Sequence, residues 1–102
     1  MIGYFWKKKL REHLLQIVND YGSPVYVYDA DTITKQYKRL TTAFNKVSNL
    51  KIHYAVKALS NISILKLFHK LGSGLDTVSL QEVQLGLRAG FDPSSVIYTP
   101  NG

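Results

Sequence analysis

The chain has 102 residues, is 45% hydrophobic and 20% charged, and carries a formal net charge of +6 with no cysteine. That composition is globular and fits one small domain or a piece of a larger one. It excludes a disordered tail, a disulfide framework, thiolate catalysis and cysteine-ligated zinc. No apolar run is long enough to span a membrane. The apolar opening precedes the first positive charges, the reverse of a secretory signal.

Residues 8–21 read as an amphipathic helix, with Leu10, Leu14, Ile17, Val18 and Tyr21 on one stripe. Gly22 suits the position after its end, and Ser23-Pro24 stops it. Val25, Tyr26, Val27 and Tyr28 form a short run of branched and aromatic residues that predicts a strand. Either Asp29 or Asp31 caps the next helix, expected over residues 32–47 with Ile33, Tyr37, Leu40, Phe44 and Val47 on its apolar side.

From residue 50 onward the pattern alternates. A strand over residues 50–56 precedes a helix over 62–71, capped by Ser60 or Asn61. A strand over 75–78 precedes a helix that Ser79 starts and Glu82 braces in a capping box, ending at Gly90. Pro93 turns the chain into a third strand over 96–99. Strand-helix-strand-helix-strand alternation predicts an α/β protein with parallel strands joined by helical crossovers. Two architectures satisfy it, a doubly wound open sheet and a β/α barrel. A complete barrel needs about 250 residues, so a barrel here is incomplete. Its last strand would leave an unpaired edge and an uncovered apolar face. The isolated chain is therefore expected to be poorly soluble or partly unfolded.

In either architecture, ligands collect at the carboxyl ends of strands. Lys57, Ser79 and Pro100-Asn101 all fall there. Lys57 stands between Val56 and Ala58, where apolar neighbours are expected to strip water from its ammonium and make the amine a better nucleophile toward a carbonyl. Other features read as structural. The lysine and arginine clusters at Lys7, Lys8, Lys9 and Arg11, and at Lys35, Lys38, Arg39 and Lys46, read as solvated helix faces. A basic module for nucleic acid or membrane is the competing reading, recognisable by steeply salt-dependent binding. His13, His53 and His69 lack metal-ligand spacing, and no metal is assigned.

Four motifs, in order, give the chain a resemblance. They are Gly22-Ser23-Pro24-Val25-Tyr26-Val27-Tyr28-Asp29, Tyr54-Ala55-Val56-Lys57-Ala58, Gly72-Ser73-Gly74-Leu75-Asp76-Thr77-Val78-Ser79 continuing to Glu82, and Ala89-Gly90-Phe91 followed by Ile97-Tyr98-Thr99-Pro100-Asn101. Over residues 22–102 the chain resembles the amino-terminal part of the fold-type III pyridoxal-phosphate decarboxylases. Two positions depart from the family pattern: Leu59, where asparagine is common, and Gln81, where glycine commonly precedes the glutamate.

The resemblance implies the first βα units of a pyridoxal-phosphate-binding (β/α)8 TIM-type barrel over residues 32–102. It implies that the helix and strand of residues 1–31 belong to a β-rich second domain. It makes Lys57 the residue that holds pyridoxal 5'-phosphate as an internal Schiff base and afterwards serves as a base or proton carrier. Ala55 would leave room beside the ring. Asp76 would pair with Lys57 or a nearby cation, or else act as a strand-end carboxylate bonded to backbone. The implied activity is decarboxylation of meso-diaminopimelate to L-lysine, with an ornithine- or arginine-type decarboxylase or a non-catalytic relative as alternatives. A cytoplasmic homodimer acting on a small amino acid is implied, with no nucleic-acid or membrane partner. The phosphate-binding, ring-nitrogen and substrate-carboxylate residues would lie beyond Gly102, so this chain alone is not expected to be active.

Overall fold

The computed structural model describes the backbone of residues 2–100 and the side chains of residues 10–100. The basic side chains of Lys7, Lys8 and Lys9, together with Asn101 and Gly102, lie outside the described residues. In chain order the helices are α1 (Ile2–Tyr21), α2 (Ala30–Ala43), α3 (Ile62–Leu71) and α4 (Leu80–Arg88). The strands are β1 (His53–Ala55), β2 (Gly74–Thr77) and β3 (Val96–Tyr98). Tight 3-10 turns at Val56–Ala58 and Pro93–Ser95 follow β1 and precede β3.

The second half follows its sequence pattern closely, because its signals are local. Asn61, of the two candidate caps, accepts the Ser63 and Ile64 amides and starts α3. Gly72 ends it in the left-handed conformation. Ser79 accepts the Glu82 amide, and the Glu82 carboxylate accepts the Val78 amide, completing the capping box of α4.

The strands are shorter than the apolar runs. β1 holds three residues because its parallel ladder with β2 spans only His53↔Gly74, Tyr54↔Leu75 and Ala55↔Asp76. β3 pairs with β2 in the same way, Leu75↔Val96 through Thr77↔Tyr98. The sheet order is β1-β2-β3. Sequential parallel order with α3 and α4 packed against one another and on one side of the sheet is the arrangement of a barrel sector. The first half of a doubly wound sheet has the same order, which reverses only beyond its third strand.

The core lies between the sheet and these helices. Val56, Leu65, Leu75, Ala89 and Phe91 are buried together, with Tyr54, Ile62, Phe68, Leu85 and Val96 packed around them. Gly86 lets α4 close on the sheet: a methyl group there would meet Leu75 Cδ1 at 2.5 Å. Gly74 likewise permits close approach, because a methyl group would come within 2.6 Å of the Ser95 carbonyl oxygen and of the His53 ring.

The first half departs further from expectation. α1 begins at Ile2, not near residue 8, since only Gly3 among residues 2–8 disfavours helix and no proline interrupts them. Val25, Tyr26, Val27 and Tyr28 are extended but form no strand, because no neighbouring strand among the described residues offers them a ladder. Their side chains are exposed, Tyr26 by 90%. α2 is capped by Asp29 and stops at Ala43, four residues early; Asn45 and Val47 donate to Thr42 and Phe44 in tighter turns, and Asn49 adopts φ 61. Ile33 and Tyr37 are half-buried, while Leu40, Phe44 and Val47 remain exposed.

Candidate active site

Side chains alternate along the strands, and the register aligns them across the sheet. Tyr54, Leu75 and Val96 form one row on the helix-covered face. Ala55, Asp76 and Ile97 form the next row and point to the opposite face, which no helix covers among the described residues. Ala55 and Asp76 are half-buried and directly opposite one another. Two of the three candidate site residues are therefore brought side by side by the ladder itself.

Lys57 follows Ala55 by two positions but is not part of the ladder. The backbone tightens after Ala55 into the Val56–Ala58 turn. Val56 is fully buried in the core. The next side chain, Lys57, is exposed, as is Ala58. The expected apolar shielding of the ammonium is thus absent here. Val56 spends its bulk in the core beneath the turn, and the methyl of Ala58 is too small to cover a four-carbon stem.

The turn is held from both sides. Leu59 N–H donates to the Val56 carbonyl at 3.0 Å. Tyr54 O–H donates to the Leu59 carbonyl at 2.9 Å. The Tyr54 ring stacks on Phe68 with centroids 4.2 Å apart and planes 12° apart, and Phe68 meets Tyr37 edge-on at 6.2 Å. Burial pushes the Tyr54 hydroxyl above its ordinary pKa, with the Leu59 hydrogen bond acting in the opposite sense. The hydroxyl is therefore a protonated donor at neutral pH.

The turn after β2 is equally fixed. Thr77, fully buried, donates its hydroxyl to the Ile97 carbonyl at 2.8 Å and ties the carboxyl ends of β2 and β3 together. Val78 N–H donates to Glu82 at 2.8 Å, and Glu82 N–H donates to Ser79 Oγ at 3.2 Å. Ser79 is thus occupied in capping. Sequence reasoning missed Thr77 and Tyr54 as supports of the site. Each bonds to a backbone carbonyl about 20 or five positions away, and a backbone partner leaves no mark in the sequence.

A groove of about 510 Å³ lies elsewhere, where Tyr28 and the start of α2 meet the cap Asn61 and Ser63, Lys66 and Lys70 of α3. It includes none of Ala55, Lys57 and Asp76. No group of three metal-ligating side chains occurs among the described residues. No helix there is long and apolar enough to cross a membrane.

The candidate site thus presents an exposed primary amine just past the carboxyl end of a strand, with a small side chain and a carboxylate paired on the preceding ladder, on a sector that a β/α barrel would contain. The comparisons give that sector its family. The family described as "pyridoxal-dependent decarboxylase, pyridoxal binding domain" matches residues 30–102, and the chain belongs to it. It is similar to diaminopimelate decarboxylase of Methanothermobacter thermautotrophicus, 39% identical over 88 residues, covering 85% of this chain and 21% of that protein. Among solved structures it is similar to diaminopimelate decarboxylase of Helicobacter pylori complexed with L-lysine, at 38% identity, a TM-score of 0.77, and coverage of 90% and 22% of the two chains. Lysine/ornithine decarboxylase of Vibrio vulnificus complexed with cadaverine also matches, at 29% identity, a TM-score of 0.77, and coverage of 86% and 24%. The chain spans about a fifth of the length of the curated relatives it matches. Pyridoxal phosphate is the cofactor of this family, and the residues present fit it: Lys57 offers the amine its aldehyde requires, and Ala55 leaves space on the face beside it.

Proposed function

We propose that this chain forms the amino-terminal sector of a pyridoxal-phosphate-dependent carboxy-lyase that converts meso-diaminopimelate to L-lysine. The observation that carries this reading is the placement of Lys57, exposed on a braced turn at the carboxyl end of β1, beside the Ala55–Asp76 pair. Curated relatives at 39% and 40% identity, all diaminopimelate decarboxylases, support the choice of substrate. The match to a lysine/ornithine decarboxylase supports a second reading, a basic amino acid with one carboxylate fewer.

Bound pyridoxal phosphate supplies the electron sink that a departing carboxylate needs. The chain's own residues do the rest. The Lys57 Nζ holds the cofactor and is then free to carry a proton. Ala55 keeps the adjoining face open, so the substrate's Cα–carboxylate bond can be oriented against it. Asp76 places a carboxylate on the neighbouring strand, directly opposite Ala55, as a partner for Lys57 or a nearby cation. Glu82 and Thr77 keep that strand end rigid.

We assign residues 32–102 to the barrel and residues 1–31 to a β-rich second domain. The exposed, unpaired side chains of Val25, Tyr26, Val27 and Tyr28, and the start of the family match at residue 30, support the division. A cytoplasmic homodimer is the assembly and location the resemblance implies; the lack of cysteine suits a reducing compartment.

The test is chemical. The protein to which this chain belongs is incubated with pyridoxal phosphate, reduced with borohydride, digested and mapped by mass spectrometry. Preferential labelling of Lys57 over the other lysines is expected, and its loss in Lys57→Ala. Labelling spread evenly over surface lysines would sink the reading. Assaying carbon dioxide release from meso-diaminopimelate against ornithine, in the protein this chain belongs to, separates the two substrates.

A further inference from the structure

We propose that Tyr54 is a positioning residue for Lys57: its hydroxyl holds the Leu59 carbonyl across the tight turn and so fixes where the lysine amine emerges. This rests on the reading of Lys57 as the cofactor lysine.

Lys57 is exposed, and its stem has four rotatable carbons. What constrains the amine is therefore the backbone from which the stem departs. That backbone changes conformation abruptly. It is extended at Ala55, tightly turned through Val56–Ala58, and extended again at Leu59, with φ −165 and ψ 113. On the near side the turn is anchored by Val56, buried in the core. On the far side its ties are the Leu59 N–H bond to Val56, at 3.0 Å, and the Tyr54 hydroxyl bond to Leu59, at 2.9 Å. The first closes the turn upon itself and says nothing about where the turn sits. The second ties it to the sheet.

The tyrosine can do this because its ring has nowhere to go. Phe68 of α3 lies flat against it, and Tyr37 of α2 backs Phe68 edge-on. A chain of contacts thus runs from α2 and α3 through one phenol to the turn that carries the amine. The phenol's hydrogen bond goes to the Leu59 carbonyl, two residues beyond Lys57, so it acts on the lysine through the turn.

Packing and tethering are separable. Tyr54→Phe keeps the ring and its stack and removes the hydroxyl; Tyr54→Leu removes both. Two readouts apply to the protein to which this chain belongs. The first is hydrogen exchange of the peptide covering residues 57–61, measured with no cofactor present. The second is the pyridoxal phosphate concentration that half-saturates Lys57, read by borohydride trapping with the other lysine peptides as internal reference.

In Tyr54→Phe, exchange over residues 57–61 is expected to rise about threefold to tenfold, the weight of one neutral hydrogen bond, while residues 74–78 are unchanged. The half-saturating concentration at Lys57 is expected to rise by a similar factor, with the thermal midpoint close to that of the parent. Exchange and half-saturation both unchanged in Tyr54→Phe, with stability lost only in Tyr54→Leu, would reduce Tyr54 to packing and overturn the proposal. Faster exchange without weaker trapping would overturn it as well, since the tether would then not position the amine. Absence of preferential Lys57 trapping in the parent protein would instead sink the cofactor reading. The exchange arm would still decide whether the tether exists.

Discussion

The two halves of the molecule carry the same kinds of local signal and use them differently. Both have amphipathic helices with well-made caps: Asp29 for α2, Asn61 for α3, Ser79 for α4. In the βα half the apolar stripes close over a shared core, and Leu65, Leu75 and Val56 lose all contact with water. In the amino-terminal half the stripes stay open. α2 has no buried residue, and Tyr21 is 80% exposed. Amphipathicity fixes which face of a helix wants cover; it does not provide the cover.

The largest test of that contrast uses the same substitution in each half. Leu75→Ala removes a fully buried side chain at the centre of the sheet and is expected to cost about 2–5 kcal/mol in urea unfolding. Leu15→Ala, on an open face of α1, is expected to change stability by less than about 0.5 kcal/mol. Equal effects would mean that α1 is packed in solution and the contrast is false.

A cap substitution gives a smaller effect. Ser79→Ala is expected to cost about 1 kcal/mol, seen as a lower thermal midpoint for the whole βα half, because α4 is packed on the sheet. A loss confined to exchange within α4 would show that the helix frays independently.

The smallest effect belongs to pH. The Asp29 carboxyl is held below its ordinary value of 3.8, chiefly by the Thr32 hydroxyl and then by the Thr32 and Asp31 amides. A depressed folded value means the cap stabilises α2 above that pH and is lost as pH falls through the lower folded value. Amide exchange at Asp31 and Thr32 is expected to accelerate there, with β2 still protected. Simultaneous loss of both would mean the two halves unfold as one.

What was legible in the sequence follows the same division. Ser79 with Glu82 and Gly72 after Leu71 act within one turn, so those helix ends could be read directly, and the start of α3 was narrowed to Ser60 or Asn61. The row of Ala55 and Asp76 was not legible, because it depends on the register of β1 against β2, which no local residue pattern prints. The surroundings of Lys57 were not legible. Its neighbours Val56 and Ala58 suggested shielding, but one points into the core and the other is too small. Val25, Tyr26, Val27 and Tyr28 have every mark of a strand except a partner, and partnership is not a property of four residues.

The ladder spacing bears on how the molecule is assembled. His53 meets Gly74, and Leu75 meets Val96, each twenty-one positions further along the chain. Closing the second loop is therefore no harder than closing the first, and each strand adds to an edge already in place. Each pairing waits for one helical crossover, so the sheet can grow stepwise as the polypeptide leaves the ribosome. β1, α3 and β2 can come together first, before β3 has been synthesised, so the lysine turn is set early in the life of the chain.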